Sequence, residues 1–450
     1  MRSLRAFALF SGLSLFAAYA ADAQAAAVTA ANDKLSLDQR VWMASKIYAT
    51  IQTYFGHWQA VPEFDLDTSY QKYLAQILPT DDRKNFDLAT MELLAQLKNG
   101  HSDFWDPWLN DTYGQPLGFR LAVMDGRQVV VRSRIPELGN GDVVRLLDGR
   151  PIDQVLSEIE KYVPASSDAV RRRGVTSRAF AFPATFTLTL EDGRTVTVNR
   201  LHQKLAPVPA DPQEGKWLEK GIYYLRIPSF DSRQDELKAI ELLRQNAQAK
   251  AMIIDVRANG GGNTPSDLIA ALIDRPYREF SQGTILSIGV FAAYRQILGS
   301  LPPEQLNQMS ESDRATLSAY SGYYRPMLVT SGGINLPGKP LYTGPLVVLS
   351  DIGCASSCED FLMPLKESKR ARILGQASYG STGQPYIVDF GNGITFRVST
   401  RRVYFPDGSP FEGVGIAPDV EDLPTLDDLR HGTDSLLAKA LEMARVEAGR

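Results

Sequence analysis

Residues Gly353 to Phe361 read G-C-A-S-S-C-E-D-F, a turn of small residues holding two serines and running into an acidic, helix-like segment. The turn follows P-L-V-V-L-S (Pro345 to Ser350), the pattern of a buried strand. A serine at a strand-to-helix turn is exposed and flanked by the unpaired N–H groups of the helix start. Such donors can hold the oxyanion that forms when the hydroxyl attacks a carbonyl. Small residues also cap helices, so the turn by itself admits both a capping and a catalytic role.

About a hundred residues earlier, Ala251 to Gly262 reads A-M-I-I-D-V-R-A-N-G-G-G. Four apolar residues make a buried strand that Asp255, Val256 and Arg257 close. The three glycines permit backbone geometry that a side chain would block. Thr264, as N-cap, and Pro265, at the first helical position, start a helix through Ile273. A tight turn is the plain interpretation, and a phosphate loop needs a glycine spacing this segment lacks. We favour a loop that supplies oxyanion donors opposite the serine.

A serine hydroxyl needs a base to become a nucleophile. The chain has four histidines: His57, His101, His202 and His431. His101 sits on a turn after Asn99-Gly100, ahead of the aromatic and acidic stretch S-D-F-W-D-P-W. Lys366 and Lys369 lie on the helix that starts at the serine turn and read as solvated surface charges. Cys354 and Cys358, the only cysteines, flank Ser356. A disulfide between them is awkward at a four-residue spacing across a helix start, and two buried thiols are the alternative. No second cysteine pair or nearby histidine completes a metal ligand set, and no cofactor is indicated.

Four ordered motifs carry a resemblance. D-V-R-A-N-G-G-G, V-L-S-D-I-G-C-A-S-S-C-E-D-F, I-L-G-Q-A-S-Y-G-S-T-G and F-E-G-V-G-I-A-P-D-V together resemble the tail-specific (C-terminal processing) and tricorn-type serine proteases, from Trp217 onward. The resemblance implies an α/β fold with a crotonase/ClpP-like ββα protease core. It implies Ser356 as nucleophile, with the N–H groups of Gly261 and Ser357 as oxyanion hole. The tail-specific branch draws its base from a lysine in a G-K-G turn, where this chain has Ser381 in Y-G-S-T-G. The tricorn branch uses an N-terminal histidine, whose position matches His101, and the chain is closer to this branch. Its glutamate matches Glu412 in S-P-F-E-G-V-G. The serine that precedes the histidine in that branch is replaced by Gly100. Ser102, or a water between His101 and Glu412, could take its place. The implied function is an exported serine peptidase. A non-catalytic binding protein on the same fold, as in the retinoid-binding members, and a hydrolase of small esters or amides are the alternatives.

The elements that must position these residues divide the chain. Met1 to Ala23 carries a basic start (Arg2, Arg5), an apolar run from Ala6 to Ala18 and A-x-A cleavage sites, the pattern of a signal peptide. The apolar run is too short to span a bilayer. A periplasmic or secreted protein without stable membrane insertion is expected. Residues 34–108 carry helical periodicity. Residues 116–204 switch to short strands, in which L-G-N-G-D-V-V-R-L-L-D-G-R-P-I resembles part of a PDZ domain. Pro164 to Phe182 departs from that pattern. Leu205 to Glu214 reads as a linker, residues 215–450 as the protease core, and Arg278 to Lys339 as a variable region beside the cleft. At 450 residues two or three domains are expected. A formal charge of -4 gives no sign of nucleic-acid binding. The resemblance implies a protein or peptide substrate as the partner, and the oligomeric state is open.

Overall fold

The computed structural model describes residues 33–201, 212–285, 328–330 and 332–449. The expected leader, His202, most of the expected linker and residues 286–327 of the variable region lie outside the described residues.

The core is a six-stranded sheet whose spatial order follows the chain. Strands β1 (Glu214–Glu219) and β2 (Ile222–Arg226) form an antiparallel pair. Helix α1 (Arg233–Gln245) crosses to β3 (Ala251–Asp255), and α2 (Ser266–Leu272) follows. Then come β4 (Leu346–Ser350), α3 (Ser357–Glu367), β5 (Arg372–Gly375) and β6 (Val420–Glu421), parallel from β2 onward. The terminal helix α4 (Ser435–Ala448) covers the opposite face. This explains why β3 is apolar from Ala251 to Ile254 rather than alternating. Met252, Ile254 and Val256 pack with Leu243, Leu268 and Phe361. Ala251 and Ile253 pack with Leu436, Ala440 and Ala444 of α4.

The N-terminal helices Leu37–Tyr54, Leu66–Ile77 and Arg83–Ala95 are each started by a side-chain cap, from Ser36, Asp65 and Asp82. Beyond them Asp103–Trp105 pairs antiparallel with Ile394–Ser399, which pairs in turn with Pro385–Gly391. Phe104 sits opposite Phe396, and one apolar cluster joins Ile47, Ile51 and Phe86 to Phe390, Phe396 and Val398. An apolar core therefore runs between the sequence regions 34–108 and 215–450. The fully buried pair of Arg83 with Asp106 (2.7 and 2.9 Å) anchors the chain just after His101. A desolvated, bidentate pair tolerates little displacement.

Residues 119–199 form a PDZ-like sheet of five main strands, from Phe119–Met124 to Thr195–Asn199. The helix Ile152–Glu160 turns Ile152, Val155, Leu156 and Ile159 onto it. The departure at Pro164–Phe182 is a short helix, Asp168–Gly174, and two single helical turns.

Candidate active site

Ser356 is the residue before α3 and adopts φ 55°, ψ -122°. A side chain in this region strains the backbone and persists only where the surroundings over-determine it. Here they do. Ser356 N–H donates to the Ser381 carbonyl (3.0 Å) and to Glu359 Oε2 (3.2 Å), while Cys358 and Glu359 N–H close on the carbonyls of Ala355 and Ser356. Cys354 and Cys358 are joined in a disulfide. The spacing judged awkward in sequence works because Cys354 precedes the helix and the chain curls at Ser356, leaving the two Cα atoms 5.3 Å apart, within bridging range.

His101 meets the serine: Nε2 lies 3.3 Å from Ser356 Oγ, and Nδ1 lies 2.8 Å from Ser381 Oγ. Ser381 Oγ donates to Glu412 Oε1 at 2.8 Å. The relay serine therefore comes from the turn in which the other branch keeps its lysine. A Cβ at Gly100 would lie 2.9 Å from Tyr379 Cε1 and 3.3 Å from Ser381 Oγ, so Ser381 and Tyr379 fill the space a residue-100 side chain would need. Ser102, considered above as a substitute, is buried and faces away, donating to Asn99 Oδ1 and accepting from Ser399 N–H. A water is not needed in the chain.

Glu412 Oε1 also accepts from Asn99 Nδ2 and Ser166 Oγ, both at 2.7 Å. Glu412 Oε2 is buried without a partner among the described residues. Burial pushes the Glu412 carboxyl up to about 7, against hydrogen bonds from Ser166 and Ser381 that pull it down. Burial also pushes the His101 imidazole down to about 3, helped by the positive charges of Arg397 and Arg401. The ring is thus neutral at ordinary pH, the form that accepts a proton.

Glu359, buried beneath the turn, is a residue the sequence reading passed over. Its Oε1 accepts from Ser378 Oγ and Gly380 N–H (both 2.6 Å), and its Oε2 from Ser381 N–H (3.0 Å) as well as Ser356 N–H. One carboxylate thus ties the nucleophile turn to the relay turn. Burial raises its pKa to about 8 against the pull of those donors, and the Glu412 charge adds to the rise. The signal was present as E in C-A-S-S-C-E, three residues after Ser356.

Gly261 lies against the turn: an added Cβ would come within 2.5 Å of the Ala355 carbonyl and 2.8 Å of Ser356 Cβ. Its N–H, however, donates to Asn259 Oδ1 at 2.9 Å. That bond comes from the short reach of an asparagine to its own backbone two residues on, which the glycine pattern did not reveal. The bonds that close the serine turn use the N–H groups of Ser356, Cys358 and Glu359 and not that of Ser357.

The remaining candidates sit elsewhere. Lys366 pairs with Asp419 rather than standing free in solvent. Buried His57 bonds to Ser399 Oγ and the Arg401 carbonyl, and exposed His431 to the Asp427 carbonyl. Among the described residues no cluster of histidine, cysteine, aspartate or glutamate could hold a metal, and no helix is long and apolar enough to cross a membrane.

Residues 221–422, which hold every part of this site except the N-terminal turn and Ser166, match the sequence model described as Peptidase family S41. A chloroplastic C-terminal processing peptidase of Tetradesmus obliquus is 26% identical over 284 residues, 62% of this chain and 48% of that protein. A putative tricorn protease homolog 2 of Streptomyces coelicolor is 25% identical over 346 residues, 73% of this chain and 25% of that protein. The chain thus spans about half or less of the length of these curated relatives. In fold it is similar to mature CPAF, solved in complex with lactacystin, at a TM-score of 0.67 and 18% identity, covering 91% of this chain and 98% of that one.

Proposed function

We propose that this chain, whose residues 221–422 belong to peptidase family S41, is a serine endopeptidase. The observation that carries the reading is the unbroken hydrogen-bonded series from Ser356 Oγ through His101 and Ser381 to Glu412. With Nδ1–H donating to Ser381, Nε2 is free to take the Ser356 proton as Oγ attacks the peptide carbonyl. The imidazolium so formed is stabilised through the Ser381 hydroxyl by the Glu412 carboxylate. His101 then gives the proton to the departing amine, and a water activated by the same ring releases the acyl group. The 3.3 Å separation of base and nucleophile suits an enzyme without substrate.

Ser357 N–H faces the developing oxyanion. Its companion is drawn from Gly260 or Gly262, whose N–H groups the bonds of the glycine loop do not use, rather than from Gly261. Protein or peptide chains are the substrate class, which accords with the names of the relatives. The signal-peptide pattern of Met1 to Ala23 supports a periplasmic or secreted enzyme, and N-terminal sequencing of the protein from a periplasmic fraction checks this. A purely binding role accounts for none of the four-residue series.

A fluorophosphonate probe should label the wild-type protein and not Ser356→Ala, with the variant's melting temperature preserved. Labelling that persists in Ser356→Ala and vanishes in Ser357→Ala would move the nucleophile by one residue. Absence of labelling and of peptide turnover in the folded wild type would leave the binding role.

A further inference from the structure

The β-rich region does more than adjoin the protease core. Its segment Pro164–Phe182 meets the core and the N-terminal region at three places. Arg173 pairs with Asp351 at 3.5 Å, and Asp351 Oδ1 accepts from Ala258 N–H, just before the glycine loop, and from Gly353 N–H, just before the serine turn. Arg178 pairs with Asp103, two residues beyond His101, at 3.4 Å. Between these clamps Ser166 Oγ donates to Glu412 Oε1 at 2.7 Å and accepts from Gly100 N–H at 3.1 Å.

We propose that Ser166 is a positioning residue of the catalytic relay: it fixes the Glu412 carboxylate against the peptide that carries His101, so the relay is complete only when the β-rich region is docked. This rests on the serine-peptidase reading above. Two of the three donors on Oε1 could be supplied from the core and the N-terminal turn alone, by Ser381 and Asn99. The third comes from a separate module. The charged and titratable groups around Glu412 are Arg402 from the strand behind it, Glu359 from α3, Tyr379 from the relay turn and His101 through Ser381. None of them replaces the Ser166 bond.

Losing a hydrogen bond to a charged group disfavours the ionised carboxylate. In Ser166→Ala the acid limb of kcat/KM should therefore move up by about one pH unit, with a loss of roughly tenfold below the limb and little change above it. Ser166→Thr should restore the wild-type profile. A merely structural serine would lower the rate equally at all pH values. Profiles are measured on the full chain with a peptide substrate, alongside Glu412→Gln and circular dichroism of every variant. If Glu412→Gln alters the limb while folded Ser166→Ala leaves it in place, or lowers the rate uniformly, the role of Ser166 is overturned and the peptidase reading stands. If Ser166→Ala does not fold, Ser166→Cys is used, and an unmoved limb there overturns it equally. A folded wild type without peptidase activity overturns both.

Discussion

The nucleophile half and the base half of the site are built in opposite ways. Ser356, its strained backbone, the disulfide, the helix start and Glu359 come from six consecutive residues, Cys354 to Glu359, between one strand and one helix. The base half is gathered from across the chain: His101 reaches Ser381 over 280 residues, Asn99 reaches Glu412 over 313, and Ser166 reaches it over 246. A locally built turn is closed largely by its own bonds and the disulfide, with the Ser381 carbonyl as an outside acceptor. An assembled relay depends on every packing contact between its parts, here the Phe104–Phe396 pairing and the buried Arg83–Asp106 pair. The two halves therefore differ in how they should fail.

The largest effect should come from removing either reacting group. Ser356→Ala and His101→Ala should each lower kcat by roughly 10,000-fold or more, and the double variant should be little worse than either, because the pair acts as a unit. Lys366→Ala and Lys369→Ala should be nearly silent. Additive losses in the double variant, measured by peptide turnover, would separate the two halves that the structure joins.

That contrast also marks what could be read in the sequence. The β3 and β4 strands, the serine turn and the glycine loop are local patterns, and each stands within a residue or two of where the sequence places it. The tricorn-type positions of His101 and Glu412 could be read from family motifs; the structure brings His101 to Ser356 and Glu412 to Ser381, on the other side of the imidazole. The link between them could not. Ser381 and Gly100 are an exchange between two positions 281 residues apart in the numbering, visible only once Tyr379 and Ser381 are seen to fill the space beside Gly100. Ser166 was hidden for the same reason: a hydrogen bond between distant segments leaves no periodicity and no spacing. Glu359 was in plain view as a helix-start acid, and its four donors were not.

Glu359 is where the halves meet, so it should break both at once. Glu359→Ala leaves the N–H groups of Gly380 and Ser381 buried without their acceptor, at about 1–3 kcal/mol for each unsatisfied group, and takes from Ser356 N–H one of its two acceptors. A fall in kcat on the order of a hundredfold, together with a lower melting temperature, is expected. If activity and stability both hold, the two turns are fixed independently.

The exchange of serine and glycine can be tested by reversing it. Ser381→Ala should cost roughly ten- to hundredfold in kcat through loss of the bond to His101. Gly100→Ser alone should also be impaired, since its Cβ meets Tyr379 and Ser381. Combined with Ser381→Gly, it gains room and should recover part of the activity. A double variant worse than both single ones would mean that position 100 cannot host the relay.

The smallest effect is on pH dependence, and it tells which residue governs the acid limb. A histidine base at its ordinary value would give a limb near ~6.5. In this structure His101 is pushed down to about 3 and Glu412 up to about 7. As pH falls, Glu412 therefore takes up a proton well before His101 does. Its protonation removes the charge that stabilises the imidazolium in the transition state, so the rate should drop through a limb near 7 that belongs to the carboxylate. Glutamine keeps the oxygen that accepts from Ser381, Ser166 and Asn99 but carries no charge and does not titrate. Glu412→Gln should accordingly give a rate roughly tenfold lower above pH 8, with the limb near 7 gone and any remaining fall displaced to lower pH. The displacement has the sign expected from loss of a negative charge, which disfavours protonated histidine and also lowers the raised pKa of Glu359. A Glu412→Gln enzyme that retains both the wild-type rate and the wild-type limb would reduce Glu412 to a turn residue. A limb that stays near 7 at a reduced rate would assign the titration to Glu359, the carboxylate beneath the nucleophile, and place control of the pH response in the local half of the site.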